Sequence, residues 1–252
     1  MNLVTHPEGQ YRFLPGIAPY SCGVVSLPGY EIAHVRLSRA VPWRMGFELV
    51  ERFLSAAGRP RAALCAMELR SPKPFSFPGF AEFNGQYAAV LQQWGLFVDG
   101  VNPIARTNVA PLFDPPAEPS LFAFSYSRPS KASRPTFIVA GAGELPEGIL
   151  ARDSIVALGD LSPAGLRQKV EFVLELMQNR LFGLDMNWSS VTATDLYTVH
   201  PFDALLSGLI APKVGPAMGQ GLTWHVTRPP IEAIEFEMDL QGVVSELLLP
   251  ID

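Results

Sequence analysis

Arg106 stands in the stretch NPIARTNVAP (102–111) among small polar residues and prolines, and the nearest acidic residue on its N-terminal side is Asp99. A guanidinium grips a carboxylate through a planar, two-pronged fork. With no local carboxylate to hold, Arg106 is expected to meet either an ion-pair partner from a distant part of the chain or an anionic ligand. A second stretch, AIEFEMDLQ (233–241), alternates strictly. As a strand it puts Glu235, Glu237 and Asp239 on one face and Ile234, Phe236 and Met238 on the other. A carboxylate within hydrogen-bond reach of a ligand can carry protons. A solvated strand face is the plain alternative for Glu237 and Asp239.

Other chemistries find less support. The turn GAGELPEG (141–148) lacks the Gly-Lys-Ser/Thr ending of a phosphate loop and reads as a hairpin. His6, His34, His200 and His225 have no metal-ligand spacing, so no metal is expected. There is no Gly-x-Ser-x-Gly elbow for a serine nucleophile. Cys22 and Cys65 sit in apolar strand-like surroundings and read as buried free thiols.

The elements that must position these residues recur in two similar series. The first series has strands at SCGVVSL (21–27) and YEIAHVRLS (30–38), then a helix over WRMGFELVERFLSAAG (43–58) that closes on Gly58. A strand AALCAMEL (62–69), a helix AEFNGQYAAVLQQWG (81–95), the Arg106 segment and a strand LFAFSYS (121–127) follow. The second series has strands TFIVAGAG (136–143) and SIVALGDL (154–161), then a helix that begins at Ser162 and Pro163 and carries Leu166, Val170, Val173, Leu174, Met177 and Leu181 on one face. Strand VTATDLYTV (191–199), a short helix near FDALLSGLIA (202–211), and strands LTWHVTRPP (222–230) and AIEFEMDLQG (233–242) complete it.

Between the two series, SRPSKASRP (127–135) has the small, polar, proline-bounded composition of a linker. The expected division is therefore a domain 1–127, a linker 128–135 and a domain 136–252. Each is an α+β unit with two helices on one sheet face, and the open face demands a neighbour. The chain has 252 residues, is 48% hydrophobic and 17% charged, and carries a net charge of −5 without a dense basic run. That balance argues against a nucleic-acid surface and favours a small organic ligand. The N-terminus lacks a signal-peptide pattern and no apolar run is long enough to span a bilayer, so a cytoplasmic location is expected.

The order of elements, with FAEFNGQY, IARTNV, VAGAGELPEG and AIEFEMDL, resembles the RidA (YjgF) family of imine and enamine deaminases, here as two fused copies of that chorismate-mutase-like fold. Within the family the chain is most similar to 2-aminomuconate and 2-amino-5-chloromuconate deaminases. By the resemblance, Asn84 falls at the family's helix asparagine, Arg106 at its carboxylate-binding arginine, Gly141 at its turn glycine and Glu235 at its final-strand glutamate. Gly221 stands where the second copy would carry its arginine, and the first copy's last strand lacks the glutamate. Neither copy is complete.

The resemblance thus implies a composite site without metal or organic cofactor, in which Arg106 grips a substrate carboxylate, Glu235 moves protons, and Asn84 and the backbone at Gly141 meet the changing charge on nitrogen. His200 is placed to contact a distal carboxylate or to supply a proton, with a structural strand-end histidine as the alternative. The implied assembly is a homotrimer or larger ring, with no nucleic-acid or membrane partner. A chorismatase-like enzyme acting on a related dicarboxylate and a non-enzymatic binding module are the competing readings.

Overall fold

The computed structural model describes residues 2–251, which form a mixed α+β chain with two sheets. Three strands come first: β1 (Val4–His6), β2 (Tyr11–Leu14) and β3 (Gly23–Ser26). After them come β4 (Tyr30–Pro42), α1 (Trp43–Ala56), β5 (Leu64–Arg70), α2 (Phe77–Gln93), β6 (Ala105–Pro111) and β7 (Ser120–Pro129). The remainder supplies β8 (Phe137–Gly143), α3 (Pro163–Gly183), β9 (Ala193–Tyr197), β10 (Thr223–His225), β11 (Thr227–Arg228), β12 (Glu237–Gly242) and β13 (Glu246–Leu249). Short helical turns fill residues 203–220 before β10.

Local chemistry explains the helices. On α1 the buried residues Trp43, Gly46, Phe47, Val50 and Leu54 recur at helical spacing and make one apolar face. Gly58, at φ +64°, ends that helix in the left-handed region, and Arg59 N–H closes back on the Leu54 carbonyl. Ser76 caps α2 and Ser162 caps α3 by accepting the amides of Gly79 and Gly165, with a proline in the first turn of each.

The sheets exchange strands across the chain. One runs β1-β2-β3-β8-β12-β9-β10 and the other β11-β6-β5-β7-β4-β13. Thus β1–β3 pair into the sheet built mostly by the second half of the chain, and β11 and β13 pair into the sheet of the first half. The Pro28-Gly29 turn joins two sheets, not two arms of one hairpin: β3 pairs with β2 and β8, whereas β4 pairs with β7 and β13. SIVALGDL is not a strand. Residues 152–154 form one 3-10 turn, and left-handed Ala157 (φ +48°) and Gly159 (φ +74°) stop an extended run there.

Each sheet has its helices on one face. The first apolar core packs α3 and the 203–220 turns on β8, β9 and β12; the second packs α1 and α2 on β4, β5 and β7. A third core joins Tyr11, Phe13, Val24, Ile138 and Ala140 of one sheet to Ile32, Cys65, Ala66 and Ala105 of the other. The open face that each series left bare is therefore covered within a single chain. Cys22 and Cys65 are free and buried. Among the described residues no helix is long and apolar enough to cross a membrane.

One buried ion pair ties α3 to the approach to β12. Lys169 Nζ lies 3.2 Å from Glu144 Oε1, both side chains fully buried, and also donates to the Val156 carbonyl. Glu144 accepts in addition the backbone amides of Glu235 (2.7 Å) and Phe236 (3.0 Å). Removing the cation leaves a buried carboxylate without its counter-charge. Lys169→Met is expected to cost about 3–5 kcal/mol in urea unfolding; a loss below about 1 kcal/mol, the range of an exposed pair, would contradict this role.

Candidate active site

The two sheets meet where β6 passes beside β8, and a cavity of about 260 Å³ opens there. Its wall takes Arg106 and Asn108 from β6, Gly141 from β8, Glu237 from β12, Arg180 from α3 and Phe80 from α2. Tyr20 and Ile17 reach it from the β2–β3 connection, and residues 145–150 and Ile231 and Ile234 close its apolar side.

Arg106 is 3% exposed. Its guanidinium lies 4.8 Å from the Tyr87 ring centre, 5.0 Å from Tyr20, 5.6 Å from Phe80 and 5.8 Å from Phe83. Nη2 donates to Asn84 Oδ1 at 2.7 Å, and Nη1 has no partner among the described residues. Burial pulls the guanidinium below its ordinary pKa, while Tyr87, Tyr20 and Glu237 pull it back up. The ring faces offer negative quadrupole to the cation without supplying a counter-ion. Asn84, on α2, does not reach the cavity; it turns the fork of Arg106.

Two residues along β6 on the same strand face, Asn108 also lines the cavity. Its Oδ1 accepts from Ser71 Oγ at 2.9 Å, which directs Nδ2 to a position with no protein acceptor. Arg106 Nη1 and Asn108 Nδ2 are thus two buried donors, both satisfiable by one anionic ligand. Asn108 belongs to no motif that singles it out in the sequence, and its spacing of two from Arg106 is the one signal that places it beside the guanidinium.

The acid that faces Arg106 is Glu237, not Glu235. The strand begins only at Glu237, after a turn in which Ala233 takes φ +70°. Glu235 lies before the strand and outside the cavity wall, where its carboxylate pairs with His200 Nε2 at 2.7 Å and lies 3.7 Å from Arg228. His200 is outside the cavity wall as well. Glu237 is 4% exposed, and burial, reinforced by Glu144 and opposed by Arg180, Arg106 and Arg70, pushes its carboxyl up to about 8. At neutral pH it holds its proton.

Gly141 contributes by having no side chain. A Cβ there would overlap Glu237 Oε1 and crowd Thr107. Its backbone groups are already used: the amide donates to Thr107 Oγ1 at 3.0 Å, and the carbonyl accepts from Arg180 Nη1 at 3.3 Å. Thr107 in turn donates to Asp239 Oδ2 at 2.6 Å, which Tyr197 also reaches at 3.0 Å. Asp239 shares the face of Glu237 but lines a separate void of about 10 Å³ deeper between the sheets. Its carboxyl is pushed well above the usual range, first by burial and then by Asp195 and Glu68.

Comparison with known proteins gives concordant results. The family model described as 2-aminomuconate deaminase CnbZ matches residues 3–247. The chain is 46% identical over 251 residues to the 2-amino-5-chloromuconate deaminase of Comamonas testosteroni, covering 98% of this chain and 99% of that one. A crystal structure of chorismatase superposes with a TM-score of 0.52 at 11% identity, over 88% of this chain and 77% of that one, a likeness of fold alone.

The raised carboxyl of Glu237 has a measurable consequence for stability. Because the folded state keeps the proton up to about pH 8, against an ordinary value of 4.5, raising the pH through that window destabilises the fold. Glu237→Gln removes this part of the slope. The stability gap between variant and wild type should widen in the variant's favour by up to about 1.4 kcal/mol per pH unit between those values, as read by denaturation at a series of pH values. A gap that stays constant from pH 5 to pH 8 would show that Glu237 ionises normally.

Proposed function

Because the chain belongs to the 2-aminomuconate deaminase CnbZ family, we propose that it hydrolyses an enamine or imine carboxylate of the 2-aminomuconate type, chlorinated or not, to ammonia and the 2-oxo acid. The observation that carries this reading is the buried Arg106, without a carboxylate partner among the described residues, opposite a protonated Glu237 in one cavity. The substrate's carboxylate beside the reacting carbon takes the free prong of Arg106, with the amide of Asn108 beside it. Held there, its C2–C3 bond lies against Glu237.

Glu237 then serves each proton transfer in turn. Its proton passes to C3 of the enamine, giving the iminium and leaving a carboxylate. That carboxylate takes a proton from water as the oxygen bonds to C2. The recovered proton goes to nitrogen of the carbinolamine, ammonia leaves as the C2–N bond breaks, and the hydroxyl proton returns to Glu237. One enamine and one water become one oxo acid and one ammonia, and the acid ends protonated as it began. A carboxyl near neutrality suits a group that must give and take within one cycle.

The two halves of the chain, one contributing Arg106 and the other Glu237, are read here as two fused RidA-like units that complement each other inside one molecule. Association into a homotrimer or larger ring is part of the same proposal, while the cavity that holds Arg106 and Glu237 is formed within one chain. The chorismatase likeness is one of fold alone, and chorismate turnover without ammonia release would favour that competing reading.

Ammonia release from 2-aminomuconate, followed by a coupled assay, is the test of the activity. Arg106→Ala should lower kcat/KM by an amount equivalent to about 1.5–3 kcal/mol, and Arg106→Lys should restore little of it. Undiminished activity in Arg106→Ala would remove the carboxylate clamp. Cation and acid belong to one chain, so mixing Arg106→Ala chains with Glu237→Gln chains should restore nothing. Recovered activity in the mixture would place the two residues in different chains.

A further inference from the structure

The cavity wall contains a second cation that is already engaged. Arg180 donates Nε–H to Glu147 Oε1 at 2.6 Å and Nη1–H to the carbonyls of Ala140 (2.8 Å) and Gly141 (3.3 Å). The arginine is fixed by its helix α3 and by these two strand carbonyls. The glutamate is not. It sits on the connection after β8, next to left-handed Gly148 (φ +78°) and to Ile149 and Leu150, which are 45% and 42% exposed. Apart from Arg180, its carboxylate receives among the described residues only a 3.5 Å contact from the Cys22 thiol. The backbone bonds of this connection stay local, Leu145 to Gly143 and Ile149 to Pro146, so Glu147 can turn away without unpairing a strand.

Charge gives the glutamate a further meaning. Two arginines and two glutamates line the cavity: Arg106, Arg180, Glu147 and Glu237. With Glu237 protonated, the wall carries one net positive charge, which a single ligand carboxylate neutralises. A dicarboxylate overfills it by one charge unless a protein carboxylate leaves, and a second buried anion without a cation is strongly disfavoured. Arg180 is the cation available, and Glu147 is what occupies it.

We propose that Glu147 is a built-in stand-in for the second carboxylate of the ligand: it holds Arg180 until a dicarboxylate displaces it, so that the Arg180–Glu147 exchange selects diacids and sets their affinity. This assignment rests on the proposed function for the identity of the site, but it concerns recognition at the end remote from Arg106. Glu147 acts through Arg180 and is a specificity residue with no part in proton transfer. The energetic consequence is a tax on affinity, because every diacid must first release the internal carboxylate.

Binding of two unreactive six-carbon probes tests this without turnover. Muconate has a carboxylate at both ends of its diene, and sorbate has one carboxylate and one methyl group. By titration calorimetry on the full chain, Glu147→Gln should bind muconate about tenfold more tightly than wild type, as expected for a charge-assisted pair no longer contested. Sorbate affinity should shift much less, so the muconate-to-sorbate ratio rises. An unchanged or lower ratio, or no muconate binding by either protein, would overturn the assignment. Should the variant fold poorly, wild type alone suffices: hydrogen exchange at residues 145–150 should change with saturating muconate and stay unchanged with sorbate, and equal behaviour would overturn it. Loss of the proposed function is read separately, since a protein that releases no ammonia from 2-aminomuconate can still show or lack the ratio change.

Discussion

A guanidinium buried without a counter-ion is the constraint around which this chain is arranged. Taking such a charge out of water costs several kcal/mol unless the protein supplies compensation. Here the compensation is partial: four aromatic faces and one asparagine oxygen hold Arg106, and Nη1 is left without an acceptor among the described residues. A carboxylate of the protein on that nitrogen would neutralise the charge and close it to an anionic ligand. Everything close to Arg106 follows from keeping it cationic and unpaired, including the packing of Tyr20, Phe80, Phe83 and Tyr87 from two separate elements.

The acid is controlled from behind. Glu144 bonds the amides of Glu235 and Phe236 while Lys169 neutralises it, and that fixes where the chain enters β12. Glu237 is therefore the first strand residue, pressed against the bare Cα of Gly141 and deprived of water. Desolvation rather than a neighbouring anion is the first cause of its raised pKa, so its proton depends on the closure of the cavity as a whole. The same strand places Asp239 two residues on, in the deeper polar seam with Thr107 and Tyr197, where it braces β6 against β12.

Much of this was legible in the sequence, and the failures have physical reasons. The Ser162-Pro163 start of α3 and the Gly58 stop of α1 were readable because caps are local, whereas α2 begins at Phe77, four residues before the expected 81, on a Ser76 cap that the intervening phenylalanines and glycine concealed. The isolation of Arg106 was readable because its neighbours in sequence are also its neighbours along a strand. Glu235, which the resemblance singled out, lies outside the cavity that Glu237 lines, because alternation gives a face but not a starting point; a left-handed alanine at 233, which no propensity announces, delays the strand. The placing of β3 and β4 in different sheets was hidden because a Pro-Gly turn looks the same whether its arms pair with each other or with remote strands, and β1, β2 and β13, at three or four residues each, were too short to read as strands at all. SIVALGDL read as a strand on composition alone and was overruled by the turn at Ala157 and Gly159.

Where a substrate carboxylate sits is read directly from a crystal structure of the protein with bound muconate. One carboxylate should lie on Arg106 within hydrogen-bond distance of Nη1 and Asn108 Nδ2, with a Glu237 oxygen against the adjoining diene carbons. A ligand bound instead at the His200–Glu235–Arg228 cluster, or in the cavity with Arg106 untouched, would contradict the assignment of clamp and acid.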